Sequence, residues 1–315
     1  MSDTVVKGRF APSPSGRMHL GNVFSALISW LSVRASGGDM LLRIEDLDTQ
    51  RCRPEYTDQL LDDLRYLGLD YDEGEGVGGE NGPYRQSLRT SFYEDVLCHL
   101  EEQGVIYPCY CSRDELHAAS APHASDGRVI YGGTCRGLST EARAAKTRPP
   151  AYRVIAEDRD AVFTDGLYGL QRMNTKAEWG DFVVRRSDGM FVYQLAVTAD
   201  DAAMGVTQVV RGRDLLTSVA PQLQLYRLYG VRPPTFYHIP LLVSSDGRRL
   251  SKRDRDLDLG VLRERFPSAE PLIGHLLFLA GLLPKAEPLS AREAVEVFSW
   301  DKMRRTDITV DGPLR

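Results

Sequence analysis

The chain lacks long apolar runs, and this absence restricts where it can work. No stretch of its 315 residues approaches the roughly 18 uncharged apolar residues that a membrane-spanning helix needs. The first ten residues, MSDTVVKGRF, contain no long apolar core of the kind that secretory signals carry. Internal repeats and low-complexity tails are also missing. We therefore expect a cytoplasmic protein with no membrane association.

Positive charge is not in excess either. The formal net charge of −5 argues against indiscriminate nucleic-acid binding, although it leaves room for a local basic face. The 42% hydrophobic and 26% charged residues are ordinary for a globular protein that buries a sizeable core. One run of positive charge stands out, because five cations fall within eight positions: Arg248, Arg249, Lys252, Arg253 and Arg255.

Cysteines are few, and their number of five is odd. A disulfide framework is therefore not expected in a chain that we place inside the cell. Cys52 and Cys98 stand alone and are interpreted as small packing residues. Three others, Cys109, Cys111 and Cys135, fall in a polar segment that is poor in apolar residues, which favours a metal site. Zinc takes four ligands, and coordination chemistry alone nominates His117 or His123 as the fourth.

Apolar spacing predicts the order of helices and strands. Residues 4–10 are expected to form a buried strand, 20–36 an amphipathic helix and Met40–Ile44 a second strand. This βαβ unit implies a parallel sheet with a right-handed crossover. Helices are also predicted from Pro54 and over 87–103, 215–229, 259–265, 269–282 and about 290–300. Further strands are predicted at Tyr152–Ile155, Phe182–Arg186, Phe191–Ala196, Thr207–Val210 and 236–243.

The turn between the first strand and the first helix is a candidate phosphate site. Unpaired backbone N–H groups and the helix dipole at such an N-terminus favour anions. His19 can donate a hydrogen bond to a phosphate there, and Gly21 lets a ligand approach the backbone closely. An ordinary strand–helix turn with a capping histidine is the alternative that these residues alone leave open.

Two segments resemble the ATP-binding signatures of class I aminoacyl-tRNA synthetases. HLGN at 19–22 is similar to the HIGH signature, with Asn22 in place of its last histidine, and RLSKR at 249–253 is similar to the KMSKS signature. The resemblance implies that His19, Gly21, Asn22 and Lys252 bind ATP, which is used with Mg²⁺. It also implies that His19 and Lys252 are catalytic, because they would stabilise negative charge at the α-phosphate.

The surrounding residues resemble the glutamyl branch of this family. The segment RFAPSPSG from Arg9 looks like the start of glutamyl synthetases, where an arginine and a serine help bind L-glutamate. A guanidinium group suits a carboxylate because its fork contacts both oxygens, and two of them disfavour glutamine as the substrate. Glu45 matches the residue that takes the α-amino group. The resemblance implies a glutamate pocket formed by Arg9, Phe10, Ala11, Pro12, Ser13, Glu45, Tyr193 and Arg211, the last two at strand ends.

The resemblance covers about residues 5–285 and is strongest to the short glutamyl-Q tRNA(Asp) synthetases, since no room remains for an anticodon-binding domain. These enzymes activate glutamate with ATP without tRNA and transfer it to queuosine in the anticodon loop of tRNA(Asp). They carry a structural zinc ion held by a CxC pair and a Tyr-x-x-x-Cys segment. The resemblance therefore implies zinc ligands at Cys109, Cys111, Tyr131 and Cys135, with His117 as the rival to the tyrosine.

The implied fold is a Rossmann-like, doubly wound α/β sheet with an insertion and a short C-terminal helical part. We expect residues 1–104 and 191–245 to form the two halves of the catalytic domain, 105–190 a zinc-binding, acceptor-like insertion, and 246–315 the signature loop and C-terminal helices. A monomer is expected. A minimal glutamyl-tRNA synthetase that charges a tRNA 3′ end, or a non-catalytic tRNA-binding relative, are the alternatives.

Overall fold

The computed structural model describes residues 5–118, 130–245, 247–248, 250 and 257–310. Within them the strands are β1 (Lys7–Phe10), β2 (Asp39–Leu42), β3 (Glu73–Gly74), β4 (Ile106–Cys109), β5 (Ala151–Val154), β6 (Asp160–Asp165), β7 (Gly169–Asn174), β8 (Phe182–Arg185), β9 (Gln208–Gly212), β10 (Thr235–Ile239), β11 (Leu242–Val243) and β12 (Ile308–Thr309). The α-helices are α1 (Leu20–Ala35), α2 (Pro54–Leu67), α3 (Thr90–Glu102), α4 (Arg113–Ala118), α5 (Thr140–Ala144), α6 (Thr175–Glu178), α7 (Tyr193–Ala203), α8 (Val219–Leu228), α9 (Leu259–Arg265), α10 (Glu270–Ala280) and α11 (Ala291–Val297). None of the helices in these ranges has the length and apolar content of a membrane span.

The central element of the fold is a five-stranded parallel sheet with the order β10–β9–β1–β2–β3. The predicted strand–helix–strand unit is confirmed as β1, α1 and β2. From β1 the chain continues to β2 on one side, whereas β9 and β10 lie on the other side. The strand order therefore reverses between β1 and β9, and ligands of open α/β sheets bind at the carboxyl ends of such strands.

Helices cover both faces of this sheet because its central strands are apolar on both sides. On β2, Met40 and Leu42 pack into the core that contains α1 and α2. Leu41 points to the opposite face and packs with residues of β9, α8 and β10. Side chains alternate along a strand, so one short segment contributes to two cores. The prediction of an α/β fold with a parallel sheet is confirmed.

Segment 105–190 contains two small antiparallel sheets, β4–β5–β8 and the hairpin β6–β7. A turn forms at Asp188–Gly189, and Arg186 N–H donates to the Met190 carbonyl across it. The strand predicted at Phe191–Ala196 is wrong. Phe191 makes only one isolated bridge to Arg185, and helix α7 begins two residues later.

The C-terminal helices pack onto the same core as α1. Leu272 and Leu276 of α10 and Ala294 of α11 are fully buried in it. The short strands β11 and β12 pair in parallel and bring residues near 308 back beside the end of β10. The predicted domain boundaries stay a prediction.

Candidate active site and metal centre

A cavity of about 370 Å³ opens where the strand order reverses, at the carboxyl ends of β1, β2 and β9. Its walls come from segments that are far apart in the sequence: the chain from β1 into α1, the end of β2, the start of α7 and the end of β9. All of the predicted glutamate-binding residues line this one cavity, together with His19, Gly21 and Asn22.

Helix α1 starts at the cavity with a reciprocal cap. The Gly21 N–H donates to His19 Nδ1 at 3.1 Å, and the His19 N–H donates to Asn22 Oδ1 at 3.3 Å. Because Nδ1 acts as the acceptor, the neutral ring carries its hydrogen on Nε2, which can donate outward. Asn22 thus closes the capping box, which gives a local reason for asparagine at this position.

Glycine at position 21 leaves room for this cap. A Cβ built on Gly21 would lie 3.0–3.1 Å from Cε1 and Nδ1 of the His19 ring. Alanine would push the imidazole away from the helix N-terminus. The first turn of α1 holds no acidic side chain, so the positive end of the helix dipole is not neutralised there.

The basic segment, from Arg248 to Arg255, is close in the sequence to residues at the cavity and at this turn. Leu250, within the segment, lines the cavity. After the segment, Asp258 pairs with His19 in an isolated antiparallel β-bridge, and the Leu259 N–H donates to the Met18 carbonyl at 2.9 Å. Lys252 lies outside the described residues, as do Arg249 and Arg253, and the chain that follows them contacts the His19 turn at Asp258 and Leu259.

Behind the cavity lies a buried charge cluster in which three cations balance three anions: Arg9, Arg43 and Arg89 with Glu45, Asp200 and Asp201. Arg43 is at the centre, with its side chain fully buried. It contacts Asp201 Oδ1 at 2.7 Å, Glu45 Oε1 at 3.1 Å and Asp200 Oδ2 at 3.5 Å. The three carboxylates outweigh the effect of burial and hold the pKa of Arg43 well above its ordinary value.

Two members of this cluster, Arg9 and Glu45, also line the cavity. Arg9 is only loosely held, because its Nε lies 3.5 Å from Asp201 Oδ2 and its Nη1 3.4 Å from the Val210 carbonyl. Burial raises the pKa of Glu45, although Arg43 and Arg9 oppose the shift. The two side chains thus offer one cation and one anion to a zwitterionic ligand.

The second predicted guanidinium, Arg211, is held firmly. Its Nη1 donates to the Tyr193 hydroxyl at 3.3 Å, and its Nη2 donates to Gln222 Oε1 at 2.9 Å. The sequence predicted that Tyr193 lies at the end of a strand, but Tyr193 is the first residue of α7. Leu195 and Ala196 of this helix are buried with Ala199, so helical packing overrides the alternating pattern that suggested a strand.

A separate cluster brings together Cys109, Cys111 and Cys135, whose sulfurs all lie within 4.8 Å of one another. The Tyr131 hydroxyl oxygen is 3.5 Å from Cys109 Sγ and 3.4 Å from Cys111 Sγ. Zinc–sulfur bonds of about 2.3 Å in a tetrahedron separate the sulfurs by about 3.8 Å, so the set fits one ion. The side chain of His117 and all of His123 lie outside the described residues.

The surroundings of the cluster act on its thiols in opposite directions. Burial raises the pKa of the Cys111 thiol to about 11, whereas the Tyr110 N–H, 3.4 Å from Cys135 Sγ, helps to lower the pKa of Cys135 against the effect of burial. The Cys135 N–H donates to the Tyr131 oxygen at 2.9 Å, which orients the phenol towards the sulfurs.

Comparisons with known proteins agree with this geometry. A family profile for tRNA synthetases class I (E and Q), catalytic domain, matches residues 5–299. The chain is 47% identical over 299 residues to a glutamyl-Q tRNA(Asp) synthetase of Nitratidesulfovibrio vulgaris, with 94% of this chain and 92% of the relative covered. The chain belongs to the class I tRNA synthetases of the glutamyl-Q group.

Two further relatives support the assignment. A glutamyl-Q tRNA(Asp) synthetase of Symbiobacterium thermophilum is 48% identical, with 96% of this chain and 95% of the relative covered. A crystal structure of a glutamate tRNA ligase from Elizabethkingia meningosepticum in complex with its amino acid superposes with a TM-score of 0.81 at 28% identity. That structure covers 99% of this chain, but this chain covers only 68% of that structure's chain.

For this class I synthetase, sequence analysis missed the residues that hold the pocket from behind. Arg43, Asp200 and Asp201 were not singled out, nor were Asp165 and His238 beside Arg211. The one available signal was the pair of adjacent aspartates within an otherwise apolar helix, because charged residues are almost never fully buried unless they are paired. The roles predicted for the pocket residues stay a prediction.

Proposed function

We propose that this enzyme activates L-glutamate with ATP and Mg²⁺, without tRNA, and transfers it to queuosine in the anticodon loop of tRNA(Asp). The observation that carries the proposal is the single cavity shared by the His19 turn and two guanidinium groups. The names of the two relatives of matching length support the queuosine acceptor. The proposal includes the domain limits given above and a monomer.

In the first step, a carboxylate oxygen of glutamate attacks the α-phosphorus of ATP, and pyrophosphate leaves. His19 Nε2–H and the N-terminus of α1 stabilise the added negative charge, and Lys252 acts from the other signature. In the second step, a hydroxyl of the queuosine cyclopentenediol attacks the carbonyl of the mixed anhydride, and AMP leaves. No covalent enzyme intermediate is needed, because the enzyme contributes mainly positioning.

The pocket favours an acidic amino acid. Arg9 and Arg211 suit the two carboxylates of glutamate, with Arg211 taking the side-chain carboxylate, while Glu45 suits the α-ammonium group. The Tyr193 hydroxyl contacts Arg211, and both residues line the cavity. A neutral amide would leave a guanidinium group without its anionic partner, and that penalty disfavours glutamine.

Glutamate binding should weaken at acidic pH because of Glu45. Its raised pKa means that it takes up a proton at a higher pH than an ordinary glutamate, whose pKa is about 4.3. Once it is protonated, it no longer attracts the ammonium group, so the Kd for glutamate should rise as pH falls. Calorimetric titration between pH 8 and pH 5 measures this. Glu45→Gln should bind about 10- to 100-fold more weakly at pH 8 and lose the pH dependence; an unchanged pH dependence in that variant would assign it to another group.

The metal site should bind one zinc ion, held by the three cysteines and Tyr131, in a purely structural role. Four protein ligands leave no position open for a substrate, and the ion would fold a segment with a small core. Replacing an outer partner of a metal ligand typically costs about 10- to 100-fold in affinity, so Cys135→Ser should lose at least about 100-fold. Zinc content after dialysis against a chelator measures the loss. Cys98→Ser is the matched control, because Cys98 is exposed and does not belong to the cysteine cluster; equal zinc retention in both variants would contradict the site.

Pyrophosphate exchange tests the function directly. We expect ATP–pyrophosphate exchange that depends on L-glutamate and needs no tRNA. Labelled glutamate should then be transferred to tRNA(Asp) that contains queuosine and not to tRNA(Asp) that lacks it, and periodate treatment of the tRNA should abolish acceptance. Exchange only after tRNA(Glu) is added would identify a minimal glutamyl-tRNA synthetase. Absence of exchange under every condition would identify a non-catalytic relative.

A further inference from the structure

Arg211 is held from behind by an imidazole. Its Nε donates to His238 Nε2 at 3.0 Å, and the two residues are direct neighbours in the parallel pair β9–β10. His238 is fully buried, and Arg211 is 6% exposed. An arginine more often donates to a carboxylate or carbonyl oxygen, so a neutral ring nitrogen as its acceptor needs an explanation.

The second ring nitrogen of His238 gives that explanation. Its Nδ1 lies 2.6 Å from Asp165 Oδ2, and the Asp165 side chain is fully buried. The same carboxylate accepts backbone N–H groups of Leu167 at 3.0 Å and Tyr168 at 2.9 Å. Hydrogen bonds of this kind help to hold the pKa of Asp165 below its usual range, although burial opposes them. A carboxylate can only accept, so the hydrogen of the neutral ring lies on Nδ1, and the lone pair of Nε2 faces Arg211.

The remaining contacts fix the plane of the guanidinium group. Nη2 donates to the Leu215 carbonyl at 3.3 Å and to Gln222 Oε1 at 2.9 Å, and Gln222 is in turn bonded to Gln194 at 2.9 Å. Nη1 is bonded to Tyr193, which lines the cavity with Arg211. The far side of the group is therefore filled by protein partners. These contacts take four of the five guanidinium N–H groups and leave one, on Nη1, for a ligand. A cation that cannot rotate distinguishes a carboxylate from an amide better than a mobile one.

We propose that His238, held in its Nδ1–H tautomer by Asp165, is a positioning residue that orients Arg211 and thereby sets selectivity for a side-chain carboxylate over an amide. This inference rests on the proposed function. Asp165 lies at the end of β6, in the predicted insertion, whereas Arg211 and His238 belong to the central sheet. The two hydrogen bonds Asp165–His238 and His238–Arg211 thus connect the β6–β7 hairpin to the residue proposed to select the amino acid.

The test compares glutamate with glutamine in pyrophosphate exchange. His238→Ala should raise the KM for glutamate about 10- to 100-fold, with a smaller change in kcat, because a displaced Arg211 weakens binding in the ground state and the transition state alike. The ratio of kcat/KM for glutamate over glutamine should fall by about tenfold or more. His238→Gln should recover most of the loss, since its amide can accept from Arg211 and donate to Asp165. The KM for ATP should not change in any of these variants.

A second variant guards against loss of folding in His238→Ala. In Asp165→Asn, the new amide N–H can donate to Nδ1, which moves the ring hydrogen to Nε2, where it opposes the Arg211 N–H. We expect the same rise in the KM for glutamate and the same loss of selectivity. His275→Ala is the matched control, because His275 lies on α10 and its Nδ1 is 2.8 Å from the Pro271 carbonyl of its own helix.

Each outcome decides the proposal. Folded His238→Ala or Asp165→Asn with a wild-type KM for glutamate and a wild-type selectivity ratio would overturn it. A loss of stability alone, with unchanged KM and ratio, would show a structural role only and would also overturn it. If the wild-type enzyme neither binds glutamate by calorimetry nor supports exchange, the proposed function fails first, and the inference fails with it.

Discussion

Arg9→Ala is expected to abolish most of the glutamate activation while the fold stays intact. Removing one partner of a buried, hydrogen-bonded charge pair costs about 2–5 kcal/mol, which corresponds to roughly 30- to 4,000-fold in affinity. Arg9 lines the cavity and is bonded to protein only through contacts of 3.4 and 3.5 Å, so much of its hydrogen-bonding capacity is available to a ligand. The measurement is glutamate-dependent pyrophosphate exchange, with the KM for ATP as the internal reference.

Folding should survive this change because Arg9 is not the main partner of Asp201. Arg43 contacts the other oxygen of that carboxylate at 2.7 Å, and water in the cavity can replace the Arg9 guanidinium. Arg9→Lys is the sharper control: it keeps the charge and removes the fork, so it should recover only part of the activity. Wild-type exchange in Arg9→Ala would remove Arg9 from the glutamate site.

The parts of the site that the sequence could predict are local in the chain. The turn at 9–22 carries a strand end, a helix start and several of the pocket residues within fourteen positions. Backbone geometry alone brings such neighbours together, so the βαβ unit and the His19 turn were predicted from spacing. The three clustered cysteines were predicted from their polar segment, in which Cys109 and Cys111 are separated by one residue, whereas Tyr131 was implied only by the family resemblance.

The parts that could not be predicted depend on contacts between distant segments. Arg43 directly follows the apolar strand β2, and its burial depends on Asp200 and Asp201, more than 150 residues away. Glu45 was predicted from the motif, but its dependence on Arg43 was not. The start of α7 at Tyr193 was mistaken for a strand because a short apolar stretch fits both periods, and only packing around Leu195 decides between them.

The charge cluster also gives the largest expected effect on stability. Arg43→Met should lower the free energy of unfolding by about 3–5 kcal/mol, because it leaves buried carboxylates without their shared cation. Asp200 keeps Arg89 at 2.7 Å, whereas Asp201 keeps only the 3.5 Å contact with Arg9. Most of the loss should therefore come from Asp201. Urea denaturation of the purified variants measures the change.

A double-mutant cycle distinguishes uncompensated charge from lost packing. Adding Asp201→Asn to Arg43→Met removes the stranded charge, so the double variant should be more stable than Arg43→Met alone, with a coupling energy of roughly 1–3 kcal/mol. Arg172→Met is the matched control: its pair with Asp160 is exposed, at 67% and 42% of the side-chain surfaces, and should contribute at most about 1 kcal/mol. If Arg43→Met and Arg172→Met lose the same free energy, then the cluster does not stabilise the fold. In that case the cluster would only position Glu45 and Arg9 at the cavity. Arg43, held by three carboxylates, would fix Glu45 in place when a zwitterionic ligand binds.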